Sequence, residues 1–575
     1  MNDIRRTILW VIFGFSMVLL WDKWQIHNGN KPTFFPAPQV ASAPAAGNAA
    51  KPANPADASV PQEAAASAGD VPGSAPAAPA APAAQPAAPR QDVTVASDVM
   101  RLTFDSEGGT LKASELLKYG DTTDKNKRME LFEENARRVY VGQTGLIGGN
   151  FPTHKTPMTV VPGERELKDG QDSVQVRFES AGQGGVKLVK TFTLKRGSYV
   201  IDVQHDVVNT GATAVNPQLY LQLVRDGNKP EHESSFYSTF TGPAVYTDAK
   251  KYHKVEFKDI ASGKAEVDKS SSNGYVAMVQ HYFASAWLLA DGTQRDNFVR
   301  KVGDNLYAVG MITPVGTVAP GQTKTIGARL FSGPQVEPML ESLTPGLELV
   351  KDYGWLTILA KPLYWLLSEL HKFIGNWGWS IVALVLLLKI AFYWFNAKAY
   401  ASMAKMKAIN PKIQEMRERL KDKPQQMQQE MMRIYREEKV NPMGGCLPIV
   451  IQMPVFMALY WVLQSSVEIR NAPWIGWIHD LSSPDPFFIL PLLMTLSSLL
   501  QTALNPAPPD PMQAKMMWIM PLMFSVMFFF FPAGLVLYWL TNNILSIAQQ
   551  WIINKRMGVP PQFNLPKFGK AAEGK

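Results

Sequence analysis

Trp379-Ser-Ile-Val-Ala-Leu-Val-Leu-Leu-Leu-Lys389-Ile-Ala-Phe-Tyr-Trp-Phe395 is the stretch on which the reading of this chain turns. Apart from Lys389 it has the composition of a membrane-spanning helix, and the lysine lies well inside it. An ionisable side chain in hydrocarbon costs at least ~2.5–3.5 kcal/mol on insertion scales and normally faces a bundle interior or a wet cavity. The simpler alternative is snorkelling, with the lysine stem laid along the helix and the amine among the headgroups. The nearest polar boundary, at residues 396–398, is roughly 13 Å away at 1.5 Å per residue, too far for that in an unperturbed bilayer. Lys389 is therefore read as a charge in a cavity or on a pathway between helices.

Working outward, the 575-residue chain changes character along its length: a polar first half offsets a very apolar last third, leaving a mean hydropathy of −0.08. Its lone cysteine, Cys446, excludes an intrachain disulfide framework and any multi-cysteine metal site, and reads as a packed small residue. Arg5 and Arg6 precede an apolar stretch that ends in Trp-Asp-Lys-Trp, where a cleavable signal would need small residues. Residues 1–25 are accordingly expected to form an uncleaved anchor, with Trp10, Trp21 and Trp24 at the interfaces. Further spans are expected at residues 377–395, 446–464, 486–504, 516–531 and 535–553. The last two would be one overlong run but for Pro532-Ala-Gly534, which predicts a tight hairpin.

Charge orients these six spans. Residues 396–445 hold eleven Lys/Arg against six Asp/Glu, whereas residues 465–485 hold Arg470 against Glu468, Asp480 and Asp485. The tail at 554–575 is basic again. The positive-inside rule places both termini, the 396–445 loop, the short 505–515 loop and the tail in the cytoplasm, and residues 26–376 and 465–485 outside.

Within the outer half, residues 26–91 are dominated by Ala and Pro and read as an extended, disordered tether. Residues 92–345 are β-rich: Tyr199, Ile201, Val203, His205 and Val207 alternate onto one face, with similar patterns at 186–194 and 219–224, predicting a large sandwich. His205 and Asp206 are adjacent in a strand, so they point to opposite faces and make a poor acid–base pair. No nucleophile motif, metal spacing or phosphate loop is present, so no enzyme activity and no cofactor are expected. Residues 346–376 place Trp355, Leu356, Leu359, Leu363, Leu366, Leu367 and Leu370 near helical spacing among charges, predicting an interfacial amphipathic helix.

In the 396–445 loop, Met403, Met406, Ile409, Ile413, Met416 and Leu420 form one helical stripe, and Met427, Met431 and Ile434 form a second after Asp422-Lys-Pro424. An antiparallel helical hairpin follows. The stripes chiefly seal its two helices together; yet the methionines Met403, Met406, Met416, Met427, Met431 and Met432 also suit a surface accepting varied apolar partners. The basic face is either a solvated face with internal pairs such as Glu415 with Arg419 or a contact for anionic headgroups or ribosomal RNA.

The late spans are interrupted by Pro448, Pro454, Pro491 and Pro521 and carry Gln452, Ser497, Ser498, Ser525, Thr541, Asn542 and Asn543. Freed backbone and polar side chains at that depth need protein or water partners, so a hydrated cavity is expected beside Lys389. Asn441-Pro-Met-Gly-Gly-Cys-Leu-Pro-Ile-Val-Ile-Gln-Met-Pro-Val-Phe456 resembles the signature third span of the YidC/Oxa/Alb membrane-protein insertases. So do Ser402-Met-Ala-Lys-Met406, Trp477-Ile-His-Asp-Leu481, Asp510-Pro-Met-Gln513 and Phe531-Pro-Ala-Gly-Leu-Val-Leu-Tyr538. The anchor and large β domain are similar to the Gram-negative bacterial form.

The resemblance implies a polytopic α-helical membrane protein of the inner membrane with six transmembrane helices, a five-helix insertase core, a periplasmic all-β supersandwich and a cytoplasmic helical hairpin. It implies a groove open to cytoplasm and lipid but closed toward the periplasm, with Lys389 as its basic residue where relatives use arginine. Tyr393, Gln452, Met453, Phe456, Tyr538 and Trp539 are the implied groove or substrate contacts, and the hairpin would receive incoming chains. The implied partners are nascent membrane proteins, the Sec translocon, the ribosome and the lipid bilayer, with no DNA and the protein a monomer. The competing reading of the same buried charge is an ion-coupled transporter or lipid flippase. Such a protein would show inverted repeats and a midplane acid, and the five core spans carry no Asp or Glu in their apolar stretches.

Overall fold

The structure is a computed structural model that describes residues 59–61, 90–121, 127–230, 239–420, 423–438, 447–505, 511–556, 558 and 563. The expected anchor, nearly all of the tether and most of the tail lie outside the described residues.

From Asp92 the chain builds two antiparallel sheets of ten and nine strands packed face to face. Tyr199, Ile201, Val203, His205 and Val207 are all buried, as their alternation requires, while Asp206 turns the other way to accept from Thr325 Oγ1 at 2.7 Å. Val200–Asn209 pairs with Val186–Lys195 on one side and Thr323–Pro334 on the other, so it is central and protected on both edges. The apolar layer between the sheets includes Phe104, Phe178, Phe192, Leu221, Trp287 and Phe331.

Beyond the sandwich a short helix, Glu337–Leu343, leads to α1 (Thr357–Ile374). This helix is amphipathic as expected: Ala360, Tyr364 and Leu367 are buried, and Ile358, Trp365 and Phe373 are exposed. It stops at Gly375, whose φ of 71° suits a residue without a Cβ. The joint between sandwich and helices is polar and dense. Lys361 pairs with Glu337, Glu341 and Glu348 at 3.4–3.7 Å, the Tyr353 hydroxyl donates to Glu337 at 2.8 Å, and Lys351 lies 3.5 Å from Glu468. Val467, from much later in the chain, joins the sandwich core.

The helices that follow are α2 (Trp377–Ala391), α3 (Tyr393–Arg419), α4 (Pro424–Glu437), α5 (Leu447–Ser465), α6 (Ile489–Leu504), α7 (Pro511–Phe528) and α8 (Ala533–Arg556). Residues 529–532 connect α7 to α8, with Pro532 last in the connection and Ala533 and Gly534 opening α8, close to where the sequence placed a hairpin. Every large apolar side chain exposed among the described residues lies at or beyond Ile358. Such a concentration of exposed apolar surface marks a face built to meet something other than water.

One span departs from the sequence reading. The run 377–395 is not one straight helix: α2 ends at Ala391, α3 begins at Tyr393, and the two meet at 66°. Phe392 sits between them at φ −91° and ψ 10°, and the Lys389 carbonyl, in the last turn of α2, accepts from Gln549 Nε2 at 3.1 Å. A side chain from α8 thus satisfies a backbone group at the break, which makes the break tolerable in an apolar setting. Among the described residues no single helix is long and apolar enough to cross a membrane alone, whereas the bent pair Trp377–Ala391 with Tyr393–Ser402 is. The α7 helix begins at Pro511, inside the expected 505–515 loop, and ends at Phe528.

Candidate functional site

Lys389 is carried by the last turn of α2 and is 7% exposed. Its Nζ donates to Ser546 Oγ of α8 at 2.7 Å. No salt bridge engages Lys389 among the described residues, and its amine is held by a neutral hydroxyl. Around it runs a polar stripe on α8: Asn543, Ser546, Gln550 and Asn554 recur at helical spacing and are all buried. Asn543 Nδ2 donates to Ser498 Oγ at 3.0 Å and to Ser497 Oγ at 3.3 Å on α6, Gln550 Nε2 donates to Asn505 at 3.1 Å, and Asn396 Nδ2 donates to Gln549 at 3.4 Å. Lys389 thus lies buried beside a row of amides and hydroxyls that links α8 to α3 and α6, and Ser546 of that row holds its amine.

The second cluster is aromatic. Phe456 of α5 stacks on Tyr538 of α8 with centroids 5.9 Å apart and meets Trp539 at 4.4 Å; Trp539 in turn meets Phe528 at 4.7 Å. Gln452 Nε2 donates to the Tyr538 hydroxyl at 3.5 Å. Gln452, Phe456, Tyr538 and Trp539 thus come together, roughly 12 Å along α8 from Ser546 at 1.5 Å per residue. Met453 and Tyr393 are not part of this cluster. Met453 is exposed, and Tyr393 opens α3 with its hydroxyl 3.5 Å from Arg556.

One end of the helices is tied shut by the segment between α5 and α6. Asn376 caps α2 by accepting from the Trp379 amide at 3.1 Å and donates to the carbonyls of Pro473 and Trp474. The amides opening α8, of Ala533 and Gly534, donate to Ser483 and Leu481 carbonyls at 2.8 Å. Asp485 accepts from the Phe487 and Leu490 amides and from the Trp477 indole. A single loop therefore satisfies the first amides of α6 and α8 and grips the residue that caps α2, which fixes the three helix ends relative to one another.

The hairpin methionines mostly face inward. Ile409, Ile413 and Met416 of α3 are buried against α4, with Met406, Met427 and Met431 packed around them. The Met403 side chain is outside the described part of α3. Met432 is exposed and lines a shallow concavity with Gln425, Gln428, Gln429, Arg433 and Arg436. The residues that sequence reasoning missed are Asn396, Ser546, Gln549, Gln550 and Asn554. Asn396 lies near the start of α3 and the other four toward the C-terminal half of α8, where polar residues read as the ordinary boundary of a span.

Residues 92–366 match the family described as YidC periplasmic domain, and residues 369–559 match the family described as 60Kd inner membrane protein. The chain is 58% identical over 559 residues to a membrane protein insertase YidC of Cupriavidus taiwanensis, covering 97% of this chain and 98% of that one. It is 52% identical over 573 residues to a membrane protein insertase YidC of a Janthinobacterium species, covering 97% and 100%. Among solved structures, an active YidC insertase crystal structure with its first transmembrane domain resolved is similar at 20% identity and a TM-score of 0.37, covering 80% of this chain and 94% of that one. A galactose mutarotase related enzyme from Lactobacillus acidophilus is similar over 42% of this chain and 97% of its own, at 9% identity and a TM-score of 0.28.

Proposed function

The chain belongs to the YidC family of membrane protein insertases, and we propose that it inserts its clients by drawing an acidic extracytoplasmic tail to the buried amine of Lys389. It is an inner-membrane insertase with a periplasmic domain; its substrates are membrane proteins and its solvent is the bilayer. The observation that carries the mechanism is the burial of Lys389 against one hydroxyl, without a carboxylate among the described residues. A buried cation lacking its counter-ion is costly, and a passing carboxylate relieves that cost. At 4 Å a charge pair is worth ~1 kcal/mol in water and ~4 kcal/mol at an effective dielectric of 20, so the contact is selective for the enclosed site.

In this reading the tail meets Lys389 and the amide band from the cytoplasmic side, then crosses the remaining part of the bilayer past the aromatic cluster of Phe456, Tyr538 and Trp539. The client's apolar helix leaves along lipid-facing side chains such as Leu492, Leu496 and Leu500 of α6 and Met520, Met523 and Phe524 of α7, all exposed. Partition of that helix drives the process, aided for acidic tails by a potential positive outside. The protein performs no covalent chemistry and uses no cofactor. Residues 1–25, the bent α2–α3 pair, α5, α6, α7 and α8 supply six spans, with both termini, the α3–α4 hairpin and the tail in the cytoplasm. The protein acts as a monomer, alone or beside the Sec translocon, with the hairpin toward the ribosome.

The test is reconstitution of the purified protein alone into liposomes with a single-span client bearing a short acidic tail, scored by protease protection. Tail translocation above that of protein-free liposomes is expected. Translocation at the protein-free level together with a solute flux would replace insertion by transport.

A further inference from the structure

On the ten-stranded sheet, the side chains of Leu219, Leu221 and Leu223 enter the sandwich core, so Tyr220, Gln222 and Val224 face outward. On that outer face Gln222 is nevertheless wholly buried, and His154 beside it is buried too, at 4% exposed. What covers them includes Ser59-Val60-Pro61, a piece of the Ala/Pro-rich tether far away in sequence. The Arg300 guanidinium donates to two successive carbonyls, of Ser59 and Val60, at 3.0 Å each. Gln222 Nε2 donates to the same Ser59 carbonyl at 3.0 Å and to Gln143 Oε1 at 2.8 Å. The Ser59 hydroxyl is 3.3 Å from Nε2 of His154, whose Nδ1 is 2.6 Å from the Tyr220 hydroxyl. Pro61 is buried.

These donors are held in place from below. Gln143 and Gln222 are direct cross-strand partners, and Gln222 stands opposite Gly310, which stands opposite Phe298. A Cβ at 310 would lie 2.5 Å from the Phe298 ring and 2.6 Å from the Leu221 carbonyl, so only glycine lets Phe298 lie across the sheet. Arg300 rests over that ring at 5.2 Å. A planar fork fixed on an aromatic face is well suited to adjacent carbonyls of an extended chain. A proline-bearing strand suits such a site because its carbonyls are free of internal hydrogen bonds and it is already extended.

We propose that this outer sheet face is a binding site for an extended, proline-containing peptide strand, and that the chain fills it in cis with Ser59-Val60-Pro61. Docking divides the tether. At ~3.1 Å per residue, residues 26–91 reach at most roughly 200 Å and residues 26–58 roughly 100 Å, so the site halves the leash between the start of the tether and the sandwich.

The test is electron–electron distance measurement on the full-length protein in a Cys446→Ala background. Spin labels go on Gln62→Cys and on Asp304→Cys, an exposed position; a control pair uses Ala78→Cys with Asp304→Cys. The site predicts a narrow distance distribution for the first pair and a broad one for the control. It predicts loss of the narrow peak in Arg300→Ala, and also when Ser59, Val60 and Pro61 are all replaced by glycine, a change that leaves the sandwich sequence intact. A broad distribution for the first pair in the unaltered tether, or a narrow one that survives the triple glycine replacement, overturns the proposal.

Discussion

Replacing Glu468 by Gln is expected to loosen the joint between sandwich and helices more than replacing Lys351 by Met. The Lys351 side chain is wholly buried, with its amine 3.5 Å from Glu468 and 3.7 Å from the centroid of the Tyr364 ring. Burial pulls its pKa below the usual lysine value, and the carboxylates of Glu468 and Glu337 oppose that pull. Glu468 is better placed to stand alone, being 17% exposed and accepting from the Tyr364 hydroxyl at 2.5 Å. Glu468→Gln therefore leaves the buried cation with only the farther Glu337 carboxylate, at ~3–5 kcal/mol for a broken buried pair, which the ring contact tempers by ~1–2 kcal/mol. Lys351→Met keeps the apolar stem and leaves a carboxylate that is still hydrogen-bonded and partly wet, at about 1 kcal/mol. The double variant should fall near Lys351→Met alone. Hydrogen exchange in detergent, read over Glu337–Leu343 and the first turns of α1, should quicken roughly 5-fold or more for Glu468→Gln, since the net loss is ~1–4 kcal/mol and 1.4 kcal/mol is about tenfold. A Lys351→Met variant at least as loose as Glu468→Gln, or a double variant no better than Glu468→Gln, would show that the buried lysine is not what Glu468 stabilises.

Inside the sandwich, burial lowers the pKa of His205 to about 3 and of Lys190 to about 7, and both therefore bind more protons unfolded than folded. Stability is expected to rise with pH through both windows, about 3 to 6.5 for His205 and about 7 to 10.5 for Lys190, at up to ~1.4 kcal/mol per pH unit per group. Chemical denaturation across pH checks this, and His205→Gln should flatten the acid limb. Gly378→Ala would put a Cβ 2.2 Å from Cδ1 of Trp474, and should cost ~1–3 kcal/mol in thermal unfolding as α2 moves off its loop. Ser546→Ala removes the hydroxyl that accepts from Lys389 and should destabilise by ~1–3 kcal/mol, a loss that adding Lys389→Met relieves; thermal unfolding of the single and double variants checks this.

Sequence periodicity reached what local chemistry determines. The strand carrying Ile201, Val203 and Val207, the break before α8 at Pro532 and the amphipathic α1 all follow from spacing and from residues that restrict φ. The break at Phe392 did not, because nothing local demands it: it is stabilised by Gln549 reaching across from a helix 160 positions away. The partners of Lys389 were half legible. Asn543, Ser497 and Ser498 stood out as polar residues in apolar runs, but Ser546, Gln549 and Gln550 lie near the end of α8, where polar residues read as an ordinary boundary. The hairpin methionines carried two readings, and packing in the α3–α4 core uses Met406, Met416, Met427 and Met431 for sealing. The docking of Ser59-Val60-Pro61 had no signal in a stretch whose composition says only that it is extended.

On this mechanism the charge of Lys389, and not its shape, selects the client tail. The direct measurement is the insertion rate of one single-span client with acidic, neutral or basic tails, in liposomes carrying the protein with Lys, Arg, Met or Glu at position 389. A gain of ~3 kcal/mol on passing from water to the enclosed site corresponds to roughly 100-fold. Lys389→Arg should keep the preference for acidic tails, Lys389→Met should lose it by up to that factor while the neutral tail changes little, and Lys389→Glu should favour the basic tail. Equal rates for the acidic tail in all four proteins would rule out selection by the charge at position 389.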